Sequence, residues 1–557
     1  MPGKKLPTAP VTIYRFPAGL PLTDYLKPPK DAELEVDQTT RIAGATAHLV
    51  AGGRVGNNAS WGDHPRQITG VDLELAVRSP FLVVVVELDQ DWVCAATWGV
   101  GAHHLLDETL LDEGFGLAFA VRRVDPSNLR TVNSASVDTT SRQTRTSFPL
   151  GNPLSAFPLE PAGEVVTHVT GPADMAGLTY HRATGKTWQI KAGDSLHIQL
   201  GRSPEDFVAD LRTICAVVDS TDAASPLRFI NQVRPAGANH PLMAELEARL
   251  AVALGGDTRF GPIGLCWPNA AAAAAAEANS FAITSFGGLG HVRLDPDVDI
   301  DEVTARFAQI TEGARLAELK TARLAPCADD QGEDALVRPI TLDKWISFET
   351  TLGSKTFCLN RGRWYEIGED AVARVHERLA ELFANTSPLP FPTWRRASSP
   401  DDEHRYCELV AEQSGFLCLD KNLARTPMHP RLELADLLGP DNELIHVKWP
   451  SGAAAMGHLF TQTRASAWSL RSEPEALGQL DTKVRMADNA RTITTRPRTV
   501  VLAIGGRQWG VQTLFTLTQV GLIRLSQELS YLGMTLQFAN IPFVAKSRKN
   551  GRSSQAA

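Results

Sequence analysis

The chain has 557 residues, a formal net charge of −8 at pH 7 and a hydrophobic content of 43%. A chain of this length exceeds a single core, and ~100 to 200 residues per domain predicts about three domains. Its composition excludes the disordered and fibrous classes, and no run approaches the ~18 apolar residues of a membrane-spanning helix.

The stretch 1–220 is predicted to form a strand-rich mixed domain, because short apolar runs alternate there with turn signals. VVVVEL and WVCAATWG, separated by polar residues 89–91, predict two buried strands joined by a turn. LHIQLG at 196–201 predicts a later strand. The segment PEDFVADLRTICAVVDS, which follows Ser203, predicts a helix.

The middle of the chain is predicted to be α+β. Residues 221–330 are predicted to be mostly helical, since MAELEARLAVALGG, DIDEVTARFAQI and EGARLAELKTARL show helical periodicity. The acidic stretch CADDQGEDA marks a boundary, and 331–386 is predicted as a strand pair followed by the helix EDAVARVHERLAELFAN. The Pro-rich stretch SPLPFPTWRRASSPDDE then leads into the last domain.

Residues 387–545 are predicted to form an α/β domain whose elements follow a definite order. The order is a helix (EHRYCELVAEQSG), three strands (GFLCLD, RLELADLL, LIHVKW), a helix (AAMGHLFTQTRASAWSL), a strand (RTVVLAIGG), a helix (LFTLTQVGLIRLSQELSYLG) and a strand (TLQFANI). Residues 546–557 are basic and polar, which predicts a disordered tail. The predicted fold class is therefore multi-domain α+β.

Several phrases in chain order, among them WGVGAHHLL, EGFGLAFAVRRVDPSNLRTVN, VTHVTG, LDKN, LIHVKW and HLFTQ, resemble a sporadically distributed family of uncharacterised bacterial proteins. Such a distribution fits horizontally moved genes, so the resemblance implies a bacterial defence or mobile-element context. No apolar segment follows the N-terminal lysines, and the seven cysteines show no zinc-finger spacing. A cytoplasmic protein without a membrane partner is expected.

The element order of the last domain resembles the α-β-β-β-α-β core of PD-(D/E)XK nucleases, the restriction-endonuclease-like class. These nucleases place an Asp at the end of one strand and an acidic-x-Lys triplet on the next, because side chains at i and i+2 face the same way. By this resemblance Asp436 and the triplet from His446 to Lys448 occupy those positions. Glu408, on the preceding helix, would add a carboxylate.

The implied chemistry is metal-dependent catalysis by a small set of residues. Asp436 and Glu408 are predicted to bind Mg²⁺ or Mn²⁺, and Lys448 to position or stabilise the nucleophile. His446 stands where a carboxylate is usual, and imidazole suits Mn²⁺ better than Mg²⁺. Glu433 could supply the carboxylate that is missing at position 446. However, it lies three residues before Asp436, so in a regular strand the two side chains would face opposite sides unless a bulge intervenes.

Two helical residues are predicted to support the site. His458 and Gln462 are four residues apart on the predicted helix and so share a face. Lys448 is predicted to be half-buried within its strand, and a buried lysine needs an acidic partner, for which Asp436 is the expected residue.

These residues predict a metal-dependent nuclease acting on DNA or RNA, with the preceding domains selecting its substrate or partner. The alternative is a non-catalytic protein that binds nucleic acid or protein and has a degenerate nuclease fold. A nuclease predicts that Asp436, Lys448 and a further carboxylate converge in one open cleft. The alternative predicts that Lys448 is closed off in an ion pair. The oligomeric state and the choice between DNA and RNA stay open at this point.

Overall fold

A computed structural model describes most of the chain, namely residues 7–28, 32–56, 63–71, 77–89, 91–99, 101–136, 143–148, 164–220, 227, 230, 232–268, 270–271, 274–275, 278–287, 289–295, 298–396, 402–429, 431–450 and 453–544. The predicted tail lies outside these residues. Contacts within the chain define two compact units, one of Met1–Ser136 with Arg142–Met243 and the other of Val137–Ser141 with Ala244–Ala557. Both contain helices and strands, which confirms the predicted α+β class.

The first unit is built on a ten-stranded sheet in which all neighbouring strands are antiparallel. The strands are β1 (Thr8–Pro17), β2 (Ala32–Ile42), β3 (Ala45–Gly56), β4 (Val77–Glu87), β5 (Trp92–Gly99), β6 (Thr131–Ser136), β7 (Gln143–Ser147), β8 (Glu164–Ala173), β9 (Trp188–Ala192) and β10 (Leu196–Gly201). They lie in the order β2-β3-β4-β5-β1-β10-β9-β8-β6-β7. The predicted pair of strands around residues 89–91 is confirmed, because β4 and β5 are neighbours.

The valine run of β4 is buried on both sides of this sheet. Val84 and Val86 join the larger apolar cluster, which also contains buried residues of three helices, while Val83 and Val85 join a second cluster. Side chains alternate along a strand, so a run buried on both faces is continuously apolar. The helices of this unit are α1 (Asp63–Thr69), α2 (Phe115–Arg123), α3 (Thr179–Thr184) and α4 (Pro204–Asp219), and a short strand β11 (Val233–Ala236) follows them.

Asp210, on α4, is completely buried and holds two elements of the first unit together. Its carboxylate accepts hydrogen bonds from the Thr179 amide at 2.9 Å, the Thr179 hydroxyl at 3.0 Å and the Gly201 amide at 2.8 Å. We expect Asp210→Ala to lower the free energy of unfolding by about 3 kcal/mol, because three buried donors lose their acceptor. Chemical denaturation measures this loss. Asp174→Ala, which removes an exposed carboxylate, should cost less than about 1 kcal/mol, and equal losses would contradict the argument.

The second unit contains two small antiparallel sheets. One orders its strands β14-β13-β15-β16, and in the other β19, β18, β17 and β12 are successive neighbours. These strands are β12 (Ile263–Leu265), β13 (Ser280–Phe286), β14 (Leu289–Leu294), β15 (Arg323–Cys327), β16 (Ile340–Thr341), β17 (Ile346–Leu352), β18 (Lys355–Asn360) and β19 (Arg363–Ile367). The helices along this part of the chain are α5 (Met243–Leu254), α6 (Ile300–Phe307), α7 (Glu312–Thr321) and α8 (Glu369–Phe383).

The last third of the chain forms a five-stranded mixed sheet with the strands in chain order. The strands are β21 (Leu417–Cys418), β22 (Leu437–Leu438), β23 (Leu444–Lys448), β24 (Thr499–Ile504) and β25 (Thr535–Asn540). β22 is antiparallel to both neighbours, whereas β23, β24 and β25 are parallel. A separate parallel pair consists of β20 (Trp394–Arg395) and β26 (Phe543–Val544).

Four helices accompany this mixed sheet: α9 (Asp402–Ala411), α10 (Ala453–Ser472), α11 (Pro474–Ala487) and α12 (Thr516–Tyr531). The predicted order of elements is confirmed, with α11 as an additional helix. Ile445 and Val447 of β23 share an apolar cluster with Tyr406 and Val410 of α9. The residues that alternate with them, including His446, therefore face the other side of the sheet. None of the described helices has both the length and the apolar character needed to cross a membrane.

Candidate metal centre

Three carboxylate groups converge where β21 ends and β22 begins. Asp420 follows β21, and Glu433 and Asp436 precede β22. One ligand oxygen from each lies within 4.8 Å of the others; Asp436 is buried and the other two are half-buried. Carboxylate oxygens are the ligands that hard divalent cations prefer. The three residues can therefore hold one such cation.

Hydrogen bonds fix the orientation of two of these carboxylates. Asp436 accepts a bond from the Val447 amide on the neighbouring strand at 2.6 Å. The side-chain amide of Gln462, on α10, donates to Glu433 at 2.8 Å and to Asp436 at 3.3 Å. The Lys421 amide donates to the second oxygen of Glu433 at 3.1 Å. Gln462 thus lies at the predicted site and connects two of its acids.

The raised pKa values of Glu433 and Asp436 indicate that nearby positive charge does not fully compensate these two carboxylates. Burial, followed by the charge of Glu433, raises the pKa of Asp436 well above its usual range. Burial and the hydrogen bond with Asp420 raise the pKa of Glu433 to about 7, which the charge of Lys448 partly opposes. Nearby like charges disfavour ionisation, and a bound cation removes that penalty. The donor set and its charge therefore fit Mg²⁺ or Mn²⁺.

His404, on α9, connects the carboxylates to Glu408. Its Nδ1 lies 2.6 Å from an Asp420 oxygen, and its Nε2 lies 3.5 Å from Glu408. The Glu408 side chain is 61% exposed and is not a member of the three-carboxylate group. The predicted role of Glu408 as a direct ligand stays a prediction, and in this arrangement Glu408 is connected to the centre through His404.

Lys448 ends β23 and is paired with a carboxylate of α9. Its ammonium group donates to Glu403 at 2.6 Å, and the Trp449 amide donates to the other oxygen of Glu403 at 3.0 Å. The partner predicted from the sequence was Asp436. The difference arises because both Asp436 oxygens accept bonds from amide groups, whereas Glu403, in the first turn of α9, adjoins the end of β23.

His446 and His458 do not belong to the carboxylate group. His446 is completely buried, and among the described residues neither of its ring nitrogens has a hydrogen-bond partner. Burial lowers the pKa of His446 to about 3. Burial, and then the charge of Lys448, lowers the pKa of His458 to about 4. Both imidazoles are therefore neutral near pH 7, and their predicted catalytic roles stay predictions.

The depressed pKa of His446 predicts a pH-dependent effect of its replacement. The unfolded chain binds a proton near pH 6.5 that the folded chain rejects until about pH 3, so His446 costs stability increasingly as the pH falls below 6.5. We expect His446→Leu to match the wild type in stability at pH 7 and to exceed it by about 2 kcal/mol at pH 5. Denaturation at both pH values measures this difference, and a difference independent of pH would contradict the prediction.

Two residues of the site, Asp420 and Glu403, were not predicted from the sequence. Asp420 ends the predicted strand GFLCLD, so the rule that selected Asp436 at the end of a strand could have selected it too. Glu403 lies five residues before Glu408 on the same helix, and with 3.6 residues per turn the two point in different directions. The structure shows that Glu403 meets Lys448.

The sequence profile of one protein family, described as a family of unknown function (DUF6119), matches residues 11–542. No curated protein and no solved structure matches the chain.

Proposed function

The chain belongs to this family of unknown function, and we propose that it is a metal-dependent phosphodiesterase of the restriction-endonuclease-like class that cleaves DNA or RNA. The observation that carries the proposal is the convergence of Asp420, Glu433 and Asp436 next to Lys448. Three neighbouring carboxylates can bind a divalent cation, which compensates their negative charge. A nearby lysine can stabilise the negative charge that develops on a phosphate during cleavage.

The topology around this centre also supports the proposal. A helix, three strands with the middle one antiparallel to its neighbours, further helices and a parallel fourth strand follow in the order of the α-β-β-β-α-β core that the sequence resembles. Asp436 lies beside β23, which ends in Lys448, as the resemblance implies.

In the proposed site Asp420 takes the place that was predicted for Glu408. A bound Mg²⁺ or Mn²⁺ would supply Lewis acidity and a water of lowered pKa. Gln462 holds Glu433 and Asp436 in a fixed orientation through its amide. His404 orients Asp420, as histidines and carboxylates behind metal ligands commonly do.

Lys448 acts on the phosphate rather than on the metal. Its ammonium group stabilises the negative charge of the pentacoordinate transition state, and Glu403 holds it at the end of β23. Since the Lys448 side chain is 21% exposed, it can approach a substrate without unfolding of the strand.

Cleavage of linear and circular DNA and of RNA, each in Mg²⁺ and in Mn²⁺, tests this function. The wild type should cleave at least one substrate, lose activity in EDTA and regain it when metal is restored. Asp420→Asn should lower the rate by at least roughly 100-fold. Glu412→Gln, which neutralises an exposed carboxylate just after α9, is the matched control and should act like the wild type.

Two outcomes would contradict the proposal. If folded wild-type protein cleaves none of the substrates in either metal, the proposed activity is rejected. If Asp420→Asn still cleaves, the three carboxylates are not the source of the activity.

A second function, binding without catalysis, is favoured by one specific observation. Lys448 forms a 2.6 Å ion pair with Glu403, which is the closed arrangement expected of a degenerate nuclease fold. The buried, neutral His446 at the usual carboxylate position agrees with it. The convergence of three acids, of which Glu433 and Asp436 have raised pKa values, favours catalysis instead, because such a group is costly without a cation.

A further inference from the structure

The segment between two of the metal-site carboxylates is cationic. Residues 421–432, between Asp420 and Glu433, contain Lys421, Arg425 and Arg431 and no acidic residue, in a chain with a net charge of −8. All three cationic side chains are exposed. The chain thus concentrates positive charge next to its acidic centre.

The described residues of this segment, which do not include residue 430, are held in a fixed conformation. Ala424 and Leu432 exchange backbone hydrogen bonds at 2.7 and 2.9 Å, which close the segment into a loop. Gln479 of α11 accepts from the Arg425 amide at 2.7 Å, and Lys483 donates to the Asn422 side chain at 2.6 Å. The contacts anchor the backbone and leave the Arg425 side chain outside them.

The guanidinium groups of Arg425 and Arg431 are available to a ligand. Among the described residues, neither guanidinium group takes part in a hydrogen bond or an ion pair, and both residues are exposed. The main-chain amide of Lys421 donates to Glu433, so the loop begins at the carboxylate centre itself. A polyanion on the loop would therefore reach the centre.

Exposed apolar side chains accompany these cations. Met428 is 65% exposed, Leu423 is 38% exposed, and Trp468 of α10 is 39% exposed. The Trp468 ring meets the His429 ring of the loop edge to face, with centroids 6.2 Å apart. The contact supports one side of the indole while part of it stays open to solvent. We define the loop surface as Lys421, Leu423, Arg425, Met428, Arg431 and Trp468.

We propose that the loop surface binds single-stranded nucleic acid and leads its backbone to the metal centre. The inference rests on the proposed phosphodiesterase function and names its substrate class. Lys421, Arg425 and Arg431 provide charge for phosphates. Trp468 and Met428 provide flat or adaptable apolar surface for unpaired bases.

The apolar part of the loop surface distinguishes a single strand from a duplex. Duplex bases are already stacked and present their edges in the grooves, so an exposed indole gains little from them. The bases of a single strand can stack on an aromatic ring, in a manner tolerant of sequence. A duplex would be bound through the cations alone.

The proposal is tested by fluorescence anisotropy, measured in EDTA with the full chain. The labelled ligands are single-stranded DNA, single-stranded RNA and duplex DNA. The wild type should bind a single strand more tightly than the duplex. Arg425→Ala/Arg431→Ala should weaken single-strand binding about tenfold and reduce its salt dependence by roughly one to two released ions. Trp468→Ala should weaken it about tenfold, and Trp468→Phe should restore most of the loss.

The control, Arg374→Ala/Arg378→Ala, removes two exposed arginines from α8 of the same unit. This helix contacts β25, at the opposite edge of the mixed sheet from β21, so the control variant should bind like the wild type. Circular dichroism and thermal unfolding establish that each variant is folded. The replaced residues of the loop surface are exposed, so their loss leaves the core intact.

Each outcome bears on the inference. Affinity of the loop variants equal to that of the wild type would overturn it, as would the absence of any binding to nucleic acid. Duplex binding as tight as single-strand binding, unaffected by Trp468→Ala, would overturn its single-strand part. Because EDTA prevents cleavage, binding lost in the loop variants together with no cleavage in metal would sustain the surface and reject only the phosphodiesterase.

Discussion

Asp436→Asn should lower the cleavage rate by at least roughly 1000-fold and abolish detectable binding of Mn²⁺. The substitution removes a negative charge and a ligand oxygen from the most buried member of the three carboxylates. Asparagine retains the shape of the side chain and an oxygen that can accept the Val447 amide hydrogen. Single-turnover cleavage and metal titration measure the two effects.

Stability provides the control for Asp436→Asn. In the metal-free wild type, the raised pKa of Asp436 means that ionisation at pH 8 costs folding free energy, because the unfolded chain ionises at its ordinary pKa. The neutral variant avoids this cost and should unfold at the same or a higher denaturant concentration in EDTA at pH 8. Lost cleavage in a destabilised variant would instead indicate damage to the fold.

Lys448→Met should slow cleavage by roughly 100-fold or more while Mn²⁺ binds at least as tightly as in the wild type. Methionine keeps much of the apolar stem of the side chain but removes the charge. The positive charge of Lys448, which lowers the pKa of Glu433, also repels a cation, so its loss makes the electrostatic potential at the three carboxylates more negative and more attractive to a cation. Opposite effects on rate and on metal affinity are the signature of this role.

Lys355→Met is the matched control for Lys448→Met. Lys355, on β18, forms a 2.8 Å ion pair with Glu366 within the same unit but in another sheet. Its replacement should leave both cleavage and metal affinity unchanged. If Lys448→Met affected only stability, the ion pair with Glu403 would be structural, and the binding function would be favoured.

The order of elements could be predicted because apolar periodicity is local information. The strand at 196–201 and the helix after Ser203 are present as β10 and α4, and the order of the last third is confirmed. The helix α11 was missed, although Glu473-Pro474 marks its start and proline suits the first helical turn. The predicted domain boundaries stay predictions beside the two compact units.

The candidate site was predicted less completely, because it depends on where irregular backbone directs its side chains. Glu433 and Asp436 were expected on opposite faces of a regular strand, yet β22 is limited to Leu437–Leu438. The preceding residues are not in a strand, so alternation does not apply to them. This irregular stretch brings both acids to Gln462.

The choice between Glu403 and Glu408 depends on helical phase relative to the sheet. Glu403 and Glu408 both lie on α9, which precedes the strands of the mixed sheet. Their positions along the chain do not by themselves show which side of that helix meets β23. The apolar residues Tyr406 and Val410 mark the side of α9 that faces the sheet. Glu403 lies three residues before Tyr406 and shares its side, since residues three apart are neighbours on a helix. That spacing was a usable signal.

Titration of metal-free protein with Mn²⁺ at pH 8, followed by calorimetry, tests the central claim most directly. The wild type should bind one ion per chain, and Asp420→Asn, Glu433→Gln and Asp436→Asn should each lose that site, while Glu412→Gln retains it. No binding by the wild type, or binding that survives in all three variants, would contradict a metal centre at these carboxylates.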